Sequence, residues 1–219
     1  MTNYRIALIT SAALFAGSCS AAETPAPTAA PKPAAAKPAA APAATTTQAT
    51  SASPHYVQAP SGNNLTFTFV QEGAANKGSF RQFATELRYD EKSLASSSLN
   101  VKVQIASVDT QDKDRNELIT GSDFFDVAKF PIAQYVASSF AKRADGGLEA
   151  VGKLTIRNVT HELRLPLTLK PTAGGLELSG KTAFKRLDYG VGQGEWKSTE
   201  SVSDEVKIEY TVSLVRSRT

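Results

Sequence analysis

Few side chains in this sequence have the chemistry of a catalytic or metal site. His161 is the only histidine beyond the proline-rich N-terminal region. A Ser-His-Asp triad or a zinc site would have to include it, and its neighbours Thr160 and Glu162 bring no second strong ligand. A single histidine on a strand is more often a surface or packing residue. We therefore predict no catalytic residue, no metal site and no cofactor.

A group of aspartates has the approximate spacing of a calcium loop. It runs from Asp112 to Asn116, and Asp123 lies eleven residues after Asp112. A calcium loop needs glycine at its sixth position and glutamate at its twelfth, where this chain has Glu117 and Asp123. Helix capping explains the aspartates better. A short helix is predicted from Asp112 or Asp114 through Thr120.

The only cysteine, Cys19, follows an apolar run from Ile6 to Gly17. The run is too short to span a bilayer and has the length of a signal-peptide core. Residues 1–19 are therefore predicted to be a signal peptide of the lipoprotein type. The segment 16–19 resembles a bacterial lipobox, although alanine stands at its first position where leucine is usual. Ordinary cleavage near 20–22 is the alternative.

This interpretation predicts a membrane anchor at Cys19, on the periplasmic side of a bacterial envelope. Eight of the eleven prolines lie at or before residue 60, in an alanine-rich stretch. Such composition cannot bury enough apolar surface to fold, so residues 20–57 are predicted to be a disordered linker. Residues 58–219 are then one domain. The net charge is +3 with both signs interspersed, which excludes the one-sided basic surface of a nucleic-acid-binding protein.

Alternating apolar residues dominate the predicted domain. Leucines at 163, 165, 167 and 169 share one face of a strand, and Asn158 separates it from the preceding strand by a tight turn. Strands are predicted at 64–70, 80–89, 99–105, 135–141, 148–156, 161–170, 176–186 and 206–214. Residues 71–78 are predicted to be a turn or a bulged edge. Phe80 and Phe83 need a bulge between them if both point inward. Eight strands and one short helix favour an antiparallel barrel or sandwich.

Six short motifs occur in an order that resembles the YceI-like family. They are Ser107–Thr110, Asp114–Leu118, Asp123–Val127, Phe130-Pro131, Gly152–Thr160 and Tyr189–Gly192. The resemblance covers roughly residues 60–216. It implies an all-β, eight-stranded, lipocalin-like barrel with an apolar tunnel. It also implies a non-enzymatic periplasmic protein that binds a polyisoprenoid, an isoprenoid quinone or another amphiphilic lipid.

Inward-facing apolar positions supply the candidate ligand contacts. The predicted lining comprises Phe67, Phe69, Phe83, Leu87, Val101, Val103, Tyr135, Leu165, Leu167, Leu178 and Phe184. Phe124, Phe125 and Trp196 are predicted at the mouth. From the alternation alone, the same residues fit a filled core equally well, and the family resemblance favours the tunnel.

Three functions are compatible with these features. The first is an exported protein that holds a long apolar lipid. The second is a non-catalytic envelope adaptor with a filled barrel, which binds a protein partner through a sheet edge. The third is a hydrolase that uses His161. A homodimer is left open as a further partnership.

Overall fold

The computed structural model describes residues 53–217, so the predicted signal peptide, Cys19 and most of the predicted linker lie outside the described residues. The strands are β1 His55–Gln58, β2 Asn64–Gln71, β3 Ala74–Phe80, β4 Phe83–Arg88, β5 Ser98–Gln104, β6 Val108–Asp109, β7 Ile132–Lys142, β8 Leu148–Ile156, β9 Val159–Thr172, β10 Gly175–Lys185 and β11 Glu205–Arg216. Helix α1 spans Lys113–Thr120. Within residues 53–217, no helix is long and apolar enough to cross a membrane.

The strands form one antiparallel sheet that closes into a barrel. β1 pairs with both β4 and β11, which completes the ring β1-β4-β5-β7-β8-β9-β10-β11. β2 pairs with β11 beyond the end of β1, β3 pairs with β2, and β6 pairs with β3. Therefore β1 and β2 lie end to end, as do β3 and β4, and β5 and β6. The predicted eight-stranded barrel is confirmed, with three of its strand positions divided into two segments.

Two hairpins use two-residue turns in which both residues have positive φ. These are Glu72-Gly73, between β2 and β3, and Arg157-Asn158, between β8 and β9. Such turns match the right-handed twist of the strands that they connect. The predicted tight turn at Asn158 is confirmed.

Of the turn or bulged edge predicted for residues 71–78, the turn is limited to Glu72-Gly73 and the rest of the segment belongs to β3. Its sequence, rich in alanine and glycine, has low strand propensity. Pairing with β2 overcomes that preference, since Phe67 lies opposite Gly78 and its ring occupies the space that a side chain there would need. The barrel also begins before the predicted domain boundary, because residues 55–57 belong to β1.

Two local predictions agree with the structure. The strand is interrupted between Phe80 and Phe83, where the backbone N–H of Arg81 donates to the Ser107 carbonyl at 3.1 Å. The helix begins as predicted, because the Asp112 carboxylate accepts a hydrogen bond from the backbone N–H of Arg115 at 3.0 Å. Capping of this kind satisfies an N–H group that has no partner within the helix.

The seam between β9 and β10 is only partly closed by backbone pairing. The two strands pair from Thr168↔Ser179 to Thr172↔Gly175, and the ladder ends there. Pro166 follows on the β9 side, and proline has no N–H to donate. Beyond this point, the Tyr210 hydroxyl donates a hydrogen bond to the Pro166 carbonyl. A side chain therefore replaces the missing backbone bond.

Candidate ligand-binding site

The interior of the barrel contains two apolar cavities. The barrel cavity, of about 130 Å³, lies among strands β4, β5 and β7 to β11. The helix-side cavity, of about 90 Å³, lies between α1, β2, β11 and the loops that follow α1 and β10. Phe80, Phe125, Phe184 and Ile208 line both cavities. Apolar space therefore remains inside the barrel, whereas the adaptor hypothesis expects a filled interior.

Twelve of the fourteen predicted contact residues lie on these walls. Phe83, Val101, Val103, Tyr135, Leu165 and Leu178 line the barrel cavity, Phe67, Phe69, Phe124 and Trp196 line the helix-side cavity, and Phe125 and Phe184 line both. Contact between these residues and a ligand stays a prediction.

Leu87 and Leu167 lie outside both linings. Their exposed fractions are 0% and 5%, and they pack in the filled end of the barrel, where Tyr89 and Phe140 also meet at 6.1 Å between ring centroids. Thr85 and Leu165 line the barrel cavity. Leu87 lies two residues beyond Thr85, and Leu167 two residues beyond Leu165, toward the filled end. Alternation predicts the face of the strand correctly, but it carries no information about depth along the barrel axis.

Two tyrosines place their hydroxyl groups against strand backbones beside the barrel cavity. The Tyr135 hydroxyl lies 2.9 Å from the Ala150 carbonyl and 3.1 Å from the Leu163 carbonyl. Tyr210 bonds to the Pro166 carbonyl across the seam. Burial raises the pKa of both phenols above the ordinary value, and the nearby Glu149 adds to the increase for Tyr135. Both hydroxyls are thus neutral donors used by the wall itself.

Three of the sequence motifs meet at the helix-side cavity. The guanidinium of Arg157, in the β8–β9 turn, donates to the Phe124 carbonyl and, at 2.8 Å, to the Gly190 carbonyl. The Asp123 carbonyl accepts from the N–H groups of Gly192 and Gln193 at 2.8 and 2.7 Å. These bonds fix the loop after α1 to the loop after β10. Trp196 then packs at 5.4 Å from Phe124, between ring centroids.

Arg186 is a buried cation in the wall of the helix-side cavity, with an exposed fraction of 2%. Its guanidinium donates to the carbonyls of Ser203, Val191 and Val202 at 3.0, 2.9 and 2.8 Å. Burial lowers the pKa of Arg186, and the neighbouring Asp204 partly offsets that change. Its donors are committed to the loop between β10 and β11, which they hold in place.

Arg115 is the other charged residue on the helix-side wall. Its guanidinium lies 6.0 Å from the Phe69 ring centroid and 3.8 Å from the Asp112 carboxylate. About a quarter of its side chain is exposed, at 27%. The barrel cavity has no charged residue in its lining. The two cavities therefore differ in polarity, and the polar end lies beside α1.

His161 is exposed and has a structural role in the loop contacts. Its Nε2 lies 3.0 Å from the Asp188 carbonyl, and its ring meets Tyr189 edge-on at 5.1 Å between centroids. Within residues 53–217, no group of three or more histidine, cysteine, aspartate or glutamate residues is arranged to hold a metal ion.

Sequence reasoning missed several lining residues. The buried Arg186 is one, because a charged residue at a strand end is usually exposed. Ile208 lies on a strand that was predicted from its alternation, but it was not among the predicted lining residues. Ile119 comes from α1, whose contact with the cavity depends on how the helix is placed. Loop residues that line the helix-side cavity were missed as well, because loops have no periodic pattern of apolar residues that would indicate which side chains point inward.

Comparison with known proteins agrees with this architecture. Residues 56–214 match the model of the YceI-like domain family. Protein YceI of Salmonella arizonae is 30% identical over 149 residues, which cover 64% of this chain and 74% of that protein. A relative from Vibrio vulnificus is 30% identical over 103 residues, 47% of this chain. This chain spans about half the length of that relative, 51%.

Solved structures show the same barrel. Burkholderia cenocepacia BcnA is 29% identical with a TM-score of 0.65, over 68% of this chain and 94% of BcnA. A polyisoprenoid binding domain from Saccharophagus degradans has a TM-score of 0.59 over 74% of this chain and 98% of that domain. At 12% identity, that domain shares the fold alone. The family match over residues 56–214 identifies this chain as a member of the YceI-like family.

Proposed function

We propose that this protein is a non-enzymatic binding protein that holds a long apolar lipid inside its barrel. The observation that carries the proposal is the unfilled apolar interior of a closed barrel. Cavities of about 90 and 130 Å³ remain between the side chains, and their linings are mostly apolar, as the linings of small-molecule sites are. Protein interiors normally pack closely, so two such spaces in one small barrel point to a ligand.

The chemistry of the walls selects the class of ligand. Leucine, valine, isoleucine and phenylalanine provide most of the barrel cavity lining, with no charged group. Burial contributes about 0.8 kcal/mol for each methylene, so about twenty carbons contribute about 16 kcal/mol before the entropy of binding is subtracted. Hydrocarbon chain alone is sufficient for tight binding. A polyisoprenoid or isoprenoid quinone is the ligand to test first, because the Saccharophagus neighbour is a polyisoprenoid binding domain.

The export and anchoring predicted from the sequence complete the proposal. A lipidated Cys19 and the proline-rich segment after it would place the barrel near a membrane, on the periplasmic side of the envelope. A chain of about 37 residues spans roughly 35 Å if it behaves as a coil. Such a tether allows the barrel to approach lipids while it stays attached.

Native mass spectrometry tests the binding function. The protein is purified without detergent from a bacterial host, and its mass is measured under native and denaturing conditions. We expect an excess mass in the native spectrum that is lost on denaturation and is recovered as lipid in an organic extract. Only the unliganded mass, together with no uptake of an added polyprenol, would refute the proposal.

Membrane fractionation tests the anchor separately. Wild-type protein is expected in the membrane fraction, and Cys19→Ser is expected in the soluble periplasmic fraction. Cys19 precedes residues 56–214, which match the family model, so this substitution leaves the binding site unchanged. Retention of Cys19→Ser in the membrane fraction would place the attachment elsewhere.

A further inference from the structure

Four side chains line both cavities and therefore lie where the two cavities meet. Phe80, Phe125, Phe184 and Ile208 belong to both linings. None of the four is fully buried, although all lie within the hydrophobic clusters of the domain. This set is called the partition below.

The partition is made of side chains from separate parts of the fold. Phe80 ends β3, Phe184 lies near the end of β10, and Ile208 lies on β11 opposite Phe67. Phe125 belongs to the loop after α1. Side chains change rotamer within nanoseconds when they are not tightly packed, so a partition of this kind can open without breaking the barrel sheet.

Phe125 is the member least constrained by the sheet. Its backbone N–H donates to the Ile119 carbonyl at 3.1 Å, and its ring meets Phe80 edge-on at 6.4 Å between centroids. The two rings stand at 89° to each other. Phe184 is supported on its far side by Tyr189, at 5.4 Å between centroids. Movement of the Phe125 ring therefore disturbs fewer contacts than movement of a strand residue.

We propose that the two cavities are successive compartments of one ligand channel, and that the partition sets the length of apolar chain that the protein retains. The proposal rests on the lipid-binding function above and adds the determinant of chain length. The polar end of the ligand lies in the helix-side cavity, near Gln71 and Arg115, which line it. The distal part of the chain passes between Phe125 and Ile208 into the uncharged barrel cavity. Short chains occupy the helix-side cavity alone.

The test uses Trp196, the only tryptophan in the chain, which lines the helix-side cavity. A quinone head bound there quenches its fluorescence. Dissociation constants are measured for a short-chain and a long-chain isoprenoid quinone that share one head group. Each methylene excluded from an apolar cavity lowers affinity by about fourfold. A blocked partition is therefore expected to weaken the long-chain ligand by about tenfold or more.

Ile208→Phe is the blocking variant, and Val206→Phe is its matched control. Val206 lies two residues away on the same strand and lines only the helix-side cavity. Because Ile208 lines both cavities, Ile208→Phe is expected to weaken the long-chain quinone by at least tenfold more than the short-chain one. Val206→Phe is expected to change both affinities by the same factor.

Phe125→Ala keeps the test decisive if Ile208→Phe does not fold, because residue 125 lies outside the strands. It is expected to accelerate dissociation of the long-chain quinone by about tenfold more than that of the short-chain one. Equal effects on the two chain lengths in both folded variants would overturn the role of the partition. Failure of wild-type protein to bind either quinone or a polyprenol would instead refute lipid binding itself.

Discussion

Replacement of Arg186 by methionine should destabilise the barrel strongly. Three backbone carbonyls accept hydrogen bonds from this guanidinium at 3.0 Å or less, and a fourth, that of Ser198, lies at 3.4 Å. Methionine fills a similar volume but donates nothing. Each buried carbonyl left without a donor costs about 1–3 kcal/mol. Since the loop can relax and admit water, we take the lower value for three carbonyls and expect a loss of about 3 kcal/mol.

Thermal and urea denaturation, followed by circular dichroism, measure this loss. A domain of this size loses about 2–4 °C in Tm for each kcal/mol, so a decrease of about 6–12 °C is expected. Arg88→Met, the same substitution at an exposed position on β4, should change the free energy of unfolding by less than about 0.5 kcal/mol. Arg186→Lys should also destabilise, because an ammonium cannot span the carbonyls that the guanidinium joins.

Equal stability of Arg186→Met and Arg88→Met would refute this reasoning. It would mean that the carbonyls around Arg186 are satisfied by water or by other groups once the guanidinium is gone. Loss of stability in Arg88→Met of the same size would point to a general effect of removing positive charge, and would equally contradict the assigned role.

Three further predictions concern the wall of the barrel cavity. The raised pKa values of Tyr135 and Tyr210 mean that the folded state keeps protons which the unfolded state releases above pH 10, the ordinary value. The free energy of unfolding, measured by denaturation at a series of alkaline pH values, should therefore fall as pH rises above about 10. A free energy of unfolding that stays constant in that range would contradict the prediction. Thr85→Val should leave the urea midpoint unchanged or raise stability by up to about 1 kcal/mol, because the buried Thr85 hydroxyl has no hydrogen-bond partner within the described residues; a loss of more than about 1 kcal/mol would show that it has one. Gly180→Ala should cost about 1–3 kcal/mol in the same assay, because its Cβ would meet the Tyr210 hydroxyl and a β9 carbonyl. Its control, Gly174→Ala, has open space around the added methyl, and similar losses in the two variants would contradict the steric reason.

Much of the barrel could be predicted from the sequence because apolar and polar residues alternate along its long strands. The predicted 161–170 and 206–214 runs correspond to β9 and β11, and one face of each points inward. The short strand β1 could not be predicted, because four residues are too few to show a period. β3 could not be predicted for another reason: its alanines and Gly78 have little strand propensity, and its pairing with β2, where the Phe67 ring covers Gly78, is a tertiary contact.

The candidate site could likewise be predicted only in part. Strand residues such as Val101 and Leu165 line the barrel cavity, since alternation determines the face of the strand, and their contact with a ligand stays a prediction. Depth along the barrel depends on strand register, which is a tertiary property, and Leu87 was misplaced for that reason. The hydrogen bonds of Arg186 depend on a loop that folds back from residues 191–203, so no local pattern could indicate that this cation is buried.

Anomalous scattering from a crystal grown with an isoprenoid lipid brominated at its tail tests the central claim most directly. The account predicts a bromine position in the barrel cavity, near Leu165 and Leu178, with continuous chain density past Phe125 into the helix-side cavity. Bromine bound only on the outside of the barrel, with both cavities filled by rearranged side chains, would contradict lipid binding in the interior.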